Sequence, residues 1–135
     1  MTGNDMIDAA LRLLGINDET ESASAEQSAT GLVALNDLMA DLSGDGVDLG
    51  YAPQSDPTAD IGINIEKRQA LKYQLAMVLA PIYEKPISSL IASIAVMGRN
   101  KLLRDGIYQT RQEATMTHAP LGEAFAVRSN ILTGN

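Results

Sequence analysis

Residues 70–97, ALKYQLAMVLAPIYEKPISSLIASIAVM, form the most apolar stretch of the chain, and Glu84 is its one acid. Pro81 and Pro86 divide the stretch into two halves, because proline interrupts the hydrogen-bond ladder of a helix. In each half the apolar residues recur at steps of three and four, which is the period of one helix face. They are Leu71, Leu75, Val78, Leu79 and Ile82 in the first half, and Leu90, Ile91, Ile94, Ala95 and Met97 in the second.

This pattern predicts a buried helical hairpin that forms half of a core. Pro81 is expected to kink or tighten the end of its first helix, and Pro86 to lie in the first turn of its second helix. Lys85 and the two prolines interrupt the apolar run, so neither half reaches the roughly 18 to 20 residues of a membrane span. We therefore expect no membrane association.

The composition favours helices over sheets. The chain has 135 residues, which suit one domain, and aromatic residues make up 4% of them, with no Trp and a single Phe. Sheets prefer aromatic and β-branched residues, whereas this chain is rich in Leu, Ala and Met.

The absence of cysteine excludes disulfides and thiolate chemistry. No basic region followed by an apolar run is visible at the N-terminus, so we expect no signal peptide.

Two further helices are predicted before the apolar hairpin. The first spans Asp5 to Leu14, with Asn4 as its cap and Gly15 as its stop. Its expected apolar face consists of Met6, Ile7, Ala10, Leu11 and Leu14. The second begins at Ser24, where Ser24 and Gln27 have the spacing of a capping box, and it ends near Leu42. Its expected stripe consists of Leu32, Leu35, Leu38, Met39 and Leu42.

Residues 43–64 form the longest stretch without a helical period. A loop of this length in a compact domain is usually functional or held by a partner. Residues 47–51, VDLGY, are predicted to pair as a short strand, within the chain or with a neighbouring copy. The acids in residues 16–23 suggest a metal site but lack the alternating ligand spacing of a calcium loop, and Asp41, Asp45 and Asp48 suggest a metal site again. Turn formation explains them better, and we expect no metal or other cofactor.

The fourth helix is expected to be long and to become polar after Met97. A basic face follows on it, formed by Arg99, Lys101, Arg104 and Arg111. It is either a solvated helix end or a docking surface for acidic neighbours. We expect a helical domain over residues 1–116 and an extended C-terminal arm over 117–135. That arm is too apolar for a free linker, and it is either a frayed end or a segment that orders on another chain.

The charge is unevenly distributed along the chain. Residues 1–66 contain 13 acids and one base, a net charge of −12, whereas residues 67–135 contain four acids and nine bases, a net charge of +5. The sum is the −7 of the whole chain. This division is either a solvated acidic face or a self-complementary pair of surfaces that joins copies head to tail. The acidic excess argues against tight binding of duplex DNA.

A search for catalytic residues finds little. The one histidine, His118, lies at the edge of the apolar tail, and no nucleophile elbow or phosphate-binding loop is present. The 17 carboxylates make a glycosidase-type acid pair arithmetically possible, but the sequence identifies no pair. We therefore expect no enzymatic activity. The alternatives are a hydrolase, such as a peptidoglycan-cleaving enzyme with a carboxylate pair, and a monomeric protein-binding module.

Four segments occur in an order typical of one protein family. They are DAALRLLGI (8–16), LNDLMADLSGDGVDLGY (35–51), ADIGI (59–63) and ALKYQLAMVLAPIYEKPISSLIA (70–92). Together they resemble the head-to-tail adaptors of short-tailed phages, also called tail accessory factors or packaged-DNA stabilisation proteins. The resemblance covers roughly residues 4 to 105 of the chain.

The resemblance implies a helical bundle of about four helices in the virion neck, between portal and tail. It implies a ring, typically a dodecamer, that binds the portal protein, extends the DNA channel, helps retain packaged double-stranded DNA and offers a surface to later tail components. Assembly would take place in the host cytoplasm. The residues implied in portal or intersubunit binding are Arg99, Arg104, Tyr108, Arg111, Leu121 and Phe125. The matching loop motif is formed by Asp45, Gly46, Gly50 and Tyr51, and we expect it to have a structural or intersubunit role.

Overall fold

The computed structural model describes residues 1–118 of the chain, with side chains described as far as residue 108. The described residues form four α-helices and no β-strand, which confirms the predicted all-α bundle. The helices are α1 (Gly3–Leu13), α2 (Ala25–Gly44), α3 (Ile65–Ile82) and α4 (Ser89–His118). Beyond residue 118, the predicted C-terminal arm lies outside the described residues.

The start of α1 differs from the prediction. Thr2, rather than Asn4, is the N-cap: its Oγ1 accepts a hydrogen bond from the Asp5 N–H at 3.2 Å. The Asp5 carboxylate in turn accepts a hydrogen bond from the Thr2 N–H at 2.8 Å. This reciprocal pair satisfies two backbone donors at once, which Asn4 as a cap would not do, so α1 begins earlier than expected.

The predicted capping box of α2 is confirmed. Ser24 Oγ accepts from the Gln27 N–H at 3.1 Å, and Gln27 Oε1 accepts from the Ser24 N–H at 3.0 Å. The whole predicted stripe of α2 is buried, and the helix continues two residues past Leu42 to Gly44.

The core lies among α1, α2 and α3, and α4 packs against α3. Each large side chain that is buried in it contributes roughly 1.5 to 3 kcal/mol. The largest fully buried side chains are Met6, Ile7, Leu11, Leu35, Leu42, Leu71, Leu75, Leu79 and Leu102. Most of them belong to the predicted apolar faces of the first three helices, which are therefore confirmed as the main source of the core.

The predicted apolar hairpin is confirmed in α3 for Leu71, Leu75 and Leu79, which are buried, but not for Ile82, which is 51% exposed at the end of the helix; it is also partly wrong for α4. In α4, Ala95 is buried, but Leu90 is 68% exposed and Met97 is 69% exposed. The reason is that α4 approaches α3 closely through small residues. A Cβ on Gly98 would lie 3.1 Å from the Cα of Ala70. The small residues therefore occupy the contact with α3, and the large ones at 90 and 97 remain at the surface.

The start of α4 also differs from the prediction. Pro86 lies in the connection between the helices, and α4 begins at Ser89. Ser88 Oγ accepts a hydrogen bond from the Ile91 N–H at 3.2 Å, as an N-cap serine does. The first turn of α4 therefore begins after a serine cap and not at the proline.

Residues 45–64 contain neither a helix nor a strand, and they fold back onto the start of α1. The Asn4 N–H donates to the carbonyl of Pro57 at 2.8 Å, and the Ile61 N–H donates to the carbonyl of Met1 at 3.1 Å. Ile61 and Ile63 are buried in the core. The expected strand over residues 47–51 does not form among the described residues, and its pairing with another copy stays a prediction.

Candidate interaction surfaces

The inner face of α4 is fixed by contacts with two other parts of the bundle. Gln74 of α3 is buried, and its Nε2 donates a hydrogen bond to the carbonyl of Ala95. Leu102 is buried in the core, and Gly106 packs directly on the backbone of Gly46. These contacts set the rotation of α4 about its own axis, and they therefore determine which residues it exposes.

Arg99 joins α4 to the end of α2. Its Nη2 lies 3.3 Å from Asp41 Oδ2 and also donates to Asp45 Oδ2. The Arg99 side chain is 31% exposed, and its partners Asp41 and Asp45 are 65% and 45% exposed, so water and salt screen these ion pairs. Arg99, which the resemblance implicates in partner binding, thus already has two partners within its own chain, and Asp45 of the loop motif is one of them.

The loop motif begins with a helix-ending turn. Gly46 has φ +90°, a left-handed conformation that favours glycine. The Gly46 N–H donates to the carbonyl of Ser43 at 3.1 Å, and the Val47 N–H donates to the carbonyl of Leu42 at 2.9 Å. This is the hydrogen-bond pattern of a Schellman motif, and the buried Val47 supplies its apolar contact. Gly46 therefore ends α2 and directs the chain towards α4.

Asn36 of α2 holds Tyr51 of the loop motif and the nearby Gln54 in place. Its Oδ1 accepts from the Tyr51 hydroxyl at 2.6 Å and from the Gln54 N–H at 3.0 Å, and its Nδ2 donates to the carbonyl of Gln54 at 2.9 Å. Burial raises the pKa of Tyr51, so its hydroxyl stays protonated and continues to donate. The sequence interpretation missed Asn36, because nothing in the spacing marks a polar residue in α2 as the partner of a loop.

The outer face of α4 combines apolar and basic residues, and we define it as Leu90, Ile94, Met97, Lys101, Arg104 and Tyr108. These positions recur at steps of three and four, so they lie along one side of the helix. Tyr108 is 64% exposed, and Lys101 and Arg104 are exposed. Exposed apolar residues in such an arrangement are typical of a protein interface.

A groove of about 590 Å³ lies between α3 and α4, beside the outer face of α4. Its lining includes Gln69, Ala70, Ile94, Met97, Gly98 and Lys101. Glu66 of α3 and Arg104 also line it, so the groove carries two cations and one anion. Within it, Ala70 and Gly98 lie in close contact with each other.

The outer face of α2 was not predicted as a surface. We define it as Glu26, Ala29, Val33, Asp37 and Ala40, all of which are exposed. Val33 is 62% exposed at its centre. The helix contains no Lys, Arg or His, so this face is purely acidic around an apolar centre. The signal that could have found it is the step of three and four between residues 26 and 40, opposite the leucine stripe.

The acidic connection between α1 and α2 has structural partners. Arg12, the one base of the first 66 residues, donates to the carbonyls of Asp18 at 3.3 Å and Glu21 at 3.1 Å. The Asp18 carboxylate accepts hydrogen bonds from the side chain and backbone of Thr20, which hold its pKa below the usual value. Residues 1–108 contain no group of three or more side chains placed to hold a metal ion.

Among residues 1–108, whose side chains the structure describes, three grooves are lined in turn by Glu66, Asp48 and Glu26, and each of these grooves has one carboxylate where a glycosidase needs two. Within the part of the chain that the structure describes, no helix is long and apolar enough to cross a membrane.

The residues implied in partner binding are distributed over three regions. Arg104 and Tyr108 lie on the outer face of α4, and Arg99 lies beside α2. Arg111 lies in α4 beyond the last described side chain, while Leu121 and Phe125 lie outside the described residues. The structure therefore brings together two of the six residues on one exposed surface, and the role of all six stays a prediction.

Comparison with known proteins identifies the family. The model of the P22 tail accessory factor family matches residues 1–130, which is nearly the whole chain. No curated protein matches the chain. The family is one of structural components of the phage tail and not a class of enzymes. The chain belongs to the P22 tail accessory factor family, and its role is a structural one in the phage tail or neck.

Proposed function

We propose that this protein is a head-to-tail adaptor that binds the portal as a ring, extends the DNA channel and helps retain the packaged genome. The ring lies in the virion neck and assembles in the host cytoplasm. Later tail components bind to its exposed side. A ring of twelve copies is the expected form. The distal end of α4, with Arg104, Tyr108 and Arg111, and the segment 117–135 contact the portal.

The observation that carries this proposal is the outer face of α4. Tyr108 is 64% exposed and Arg104 is exposed beside it, on a helix whose inner face is held rigidly by α3 and by Gly46. Tyrosine and arginine are the residue types that supply much of the binding energy at protein interfaces. A rigid helix that presents both of them loses little conformational entropy on binding.

The acidic character of the chain suits a DNA channel. The net charge is −7, with 13 acids in residues 1–66. Duplex DNA binds tightly to clustered Lys and Arg, whereas an acidic surface repels its phosphates. The genome therefore passes the ring without specific binding, as both packaging and ejection require.

A binding assay with the purified portal of the same phage tests the proposal. We expect Arg104→Glu and Tyr108→Ala each to weaken binding at least tenfold, and deletion of residues 117–135 to abolish it while helical circular dichroism is retained. Ile82→Ala is the matched control, because Ile82 is 51% exposed on another helix. Unchanged portal binding by all three variants would refute the assignment of this surface.

A further inference from the structure

We infer that the α3–α4 groove and the proximal part of the α4 outer face bind the α2 outer face of a second copy of the chain. This inference rests on the proposed ring and names its intersubunit contact. The surface concerned is Leu90, Ile94, Met97 and Lys101, which precede the residues assigned to the portal. The occupant is the α2 outer face, from Glu26 to Ala40.

The two surfaces are complementary in charge. Lys101 lies on this surface, and Arg104, at its border with the residues assigned to the portal, gives the groove a second cation against the single anion Glu66. The α2 outer face has Glu26 and Asp37, and its helix has no basic residue. An acidic face against a basic groove favours this pairing and disfavours contact between two like faces.

The two surfaces are also complementary in shape and polarity. The α2 face has only small or branched apolar residues, Ala29, Val33 and Ala40, so a second helix can approach it closely. The proximal part of the α4 outer face exposes the longer side chains Leu90 and Met97, which are 68% and 69% exposed, and Met97 also lines the groove. Large side chains on one helix that pack over small ones on the other form an ordinary helix-in-groove contact.

The lengths of the two surfaces agree. The part of the α2 outer face from Ala29 to Ala40 and the surface from Leu90 to Lys101 each span eleven helical steps, which is about 17 Å along the helix. They lie on different helices of one chain, and their contact between copies is therefore head to tail. A head-to-tail contact leaves one free surface of each type on every pair, so it propagates to further copies and closes a ring when the rotation permits.

Disulfide trapping tests the contact, because the chain has no cysteine of its own. Val33→Cys and Met97→Cys are made as separate full-length proteins, mixed at high concentration and oxidised. Each variant has one thiol, so a disulfide that joins the two variants is necessarily intermolecular. Both positions are more than half exposed, so neither substitution removes core packing. A single helix–helix contact is small and binds weakly, and a covalent trap detects it where an equilibrium method does not.

We expect the mixed dimer to form several times faster than the mixed dimers of either protein with Ser55→Cys, an exposed control in the loop. Adding Lys101→Asp to the Met97→Cys protein should reduce trapping to the control level. Adding Asp37→Lys to the Val33→Cys partner should then restore it, because the reversed charges attract again. Formation of the mixed dimer at the control rate would overturn the inference.

Other occupants of the groove give other results. If the portal covers it, purified portal protects Met97→Cys from a thiol reagent and no mixed dimer forms. If the chain's own residues cover the groove, the Met97→Cys protein reacts slowly with the thiol reagent even when it is dilute. Either result overturns this inference. Portal binding by the parent chain is measured separately, so failure of the copy-to-copy contact is distinguishable from failure of the adaptor function.

Discussion

Gly106 of α4 and Gly46 of the loop motif lie in direct contact: a Cβ on Gly106 would stand 2.8 Å from the Gly46 carbonyl oxygen. Two elements that are 60 residues apart in the sequence therefore meet backbone to backbone. The contact fixes the distal half of α4 against the end of α2. It also accounts for a glycine in the interior of a long helix, where glycine is otherwise unfavourable.

We predict that Gly106→Ala lowers the free energy of unfolding by roughly 1 to 3 kcal/mol, because the added methyl forces the backbones apart. Gly44→Ala is the control. A Cβ at residue 44 would meet nothing within 4 Å, and alanine is the better helix former, so this variant should be neutral or slightly stabilised. Urea denaturation followed by circular dichroism measures both. Equal stability of the two variants would contradict the close approach.

We predict that Arg99→Gln lowers the free energy of unfolding by about 1 kcal/mol at low salt, since it removes the ion pairs with Asp41 and Asp45. The difference from the parent should shrink as salt is added. Lys101→Gln, an exposed change two residues away, should stay within about 0.5 kcal/mol of the parent. A larger effect at position 101 than at position 99 would show that α4 has another rotation.

The N-cap of α1 predicts a dependence on pH. Hydrogen bonds from the backbone and side chain of Thr2 hold the pKa of Asp5 below its usual value. A carboxyl group whose pKa is lowered by folding stabilises the fold above its unfolded pKa, and this contribution is lost as the pH falls through the folded pKa. The parent should therefore exceed Asp5→Ala in stability at pH 7, and the difference should diminish below about pH 4.

Thr2→Ala provides the second test of the same cap. Loss of an N-cap threonine costs about 1 kcal/mol. Because Thr2 and Asp5 act as one reciprocal pair, the double variant should lose less than the sum of the two single losses. Thermal unfolding of the four proteins at pH 7 measures this. Additive losses would show that the two residues act independently.

Tyr51→Phe should lower the free energy of unfolding by about 1 kcal/mol, since it removes the hydrogen bond to Asn36. Amide hydrogen exchange over residues 50–56 should become faster, because the loop loses one of the bonds that hold it to α2. Tyr73→Phe serves as the control, as Tyr73 lies on α3 outside this network. Unchanged exchange in Tyr51→Phe would mean that Asn36 and Gln54 alone hold the loop.

The sequence predicts the three-helix core well, because α1, α2 and α3 each have one apolar stripe. For α4 the sequence predicts the wrong face of the helix to be buried. Apolar residues follow two faces of this helix, one through Leu90 and Met97 and the other through Ala95 and Leu102, and periodicity cannot choose between them. The choice is made by Gly98 and Gly106, whose lack of a side chain permits backbone contact. Which face of α4 comes that close to a neighbouring backbone depends on the tertiary structure, and the sequence does not show it.

The start of α1 has a local cause instead. Both Thr2 and Asn4 are suitable cap residues, and the presence of Asp5 three residues after Thr2 decides between them. The outer face of α2 escaped notice because small and acidic residues on an exposed face are ordinary in any soluble helix. It gains meaning only beside the basic groove between α3 and α4, which the sequence does not display.

The central claim is that this chain assembles on the portal, and native mass spectrometry of the purified chain mixed with the portal of the same phage tests it most directly. The account predicts one complex in which the number of adaptor copies equals the number of portal subunits, with twelve of each expected. Masses of the free portal and the free monomer alone, over the whole concentration range, would contradict it.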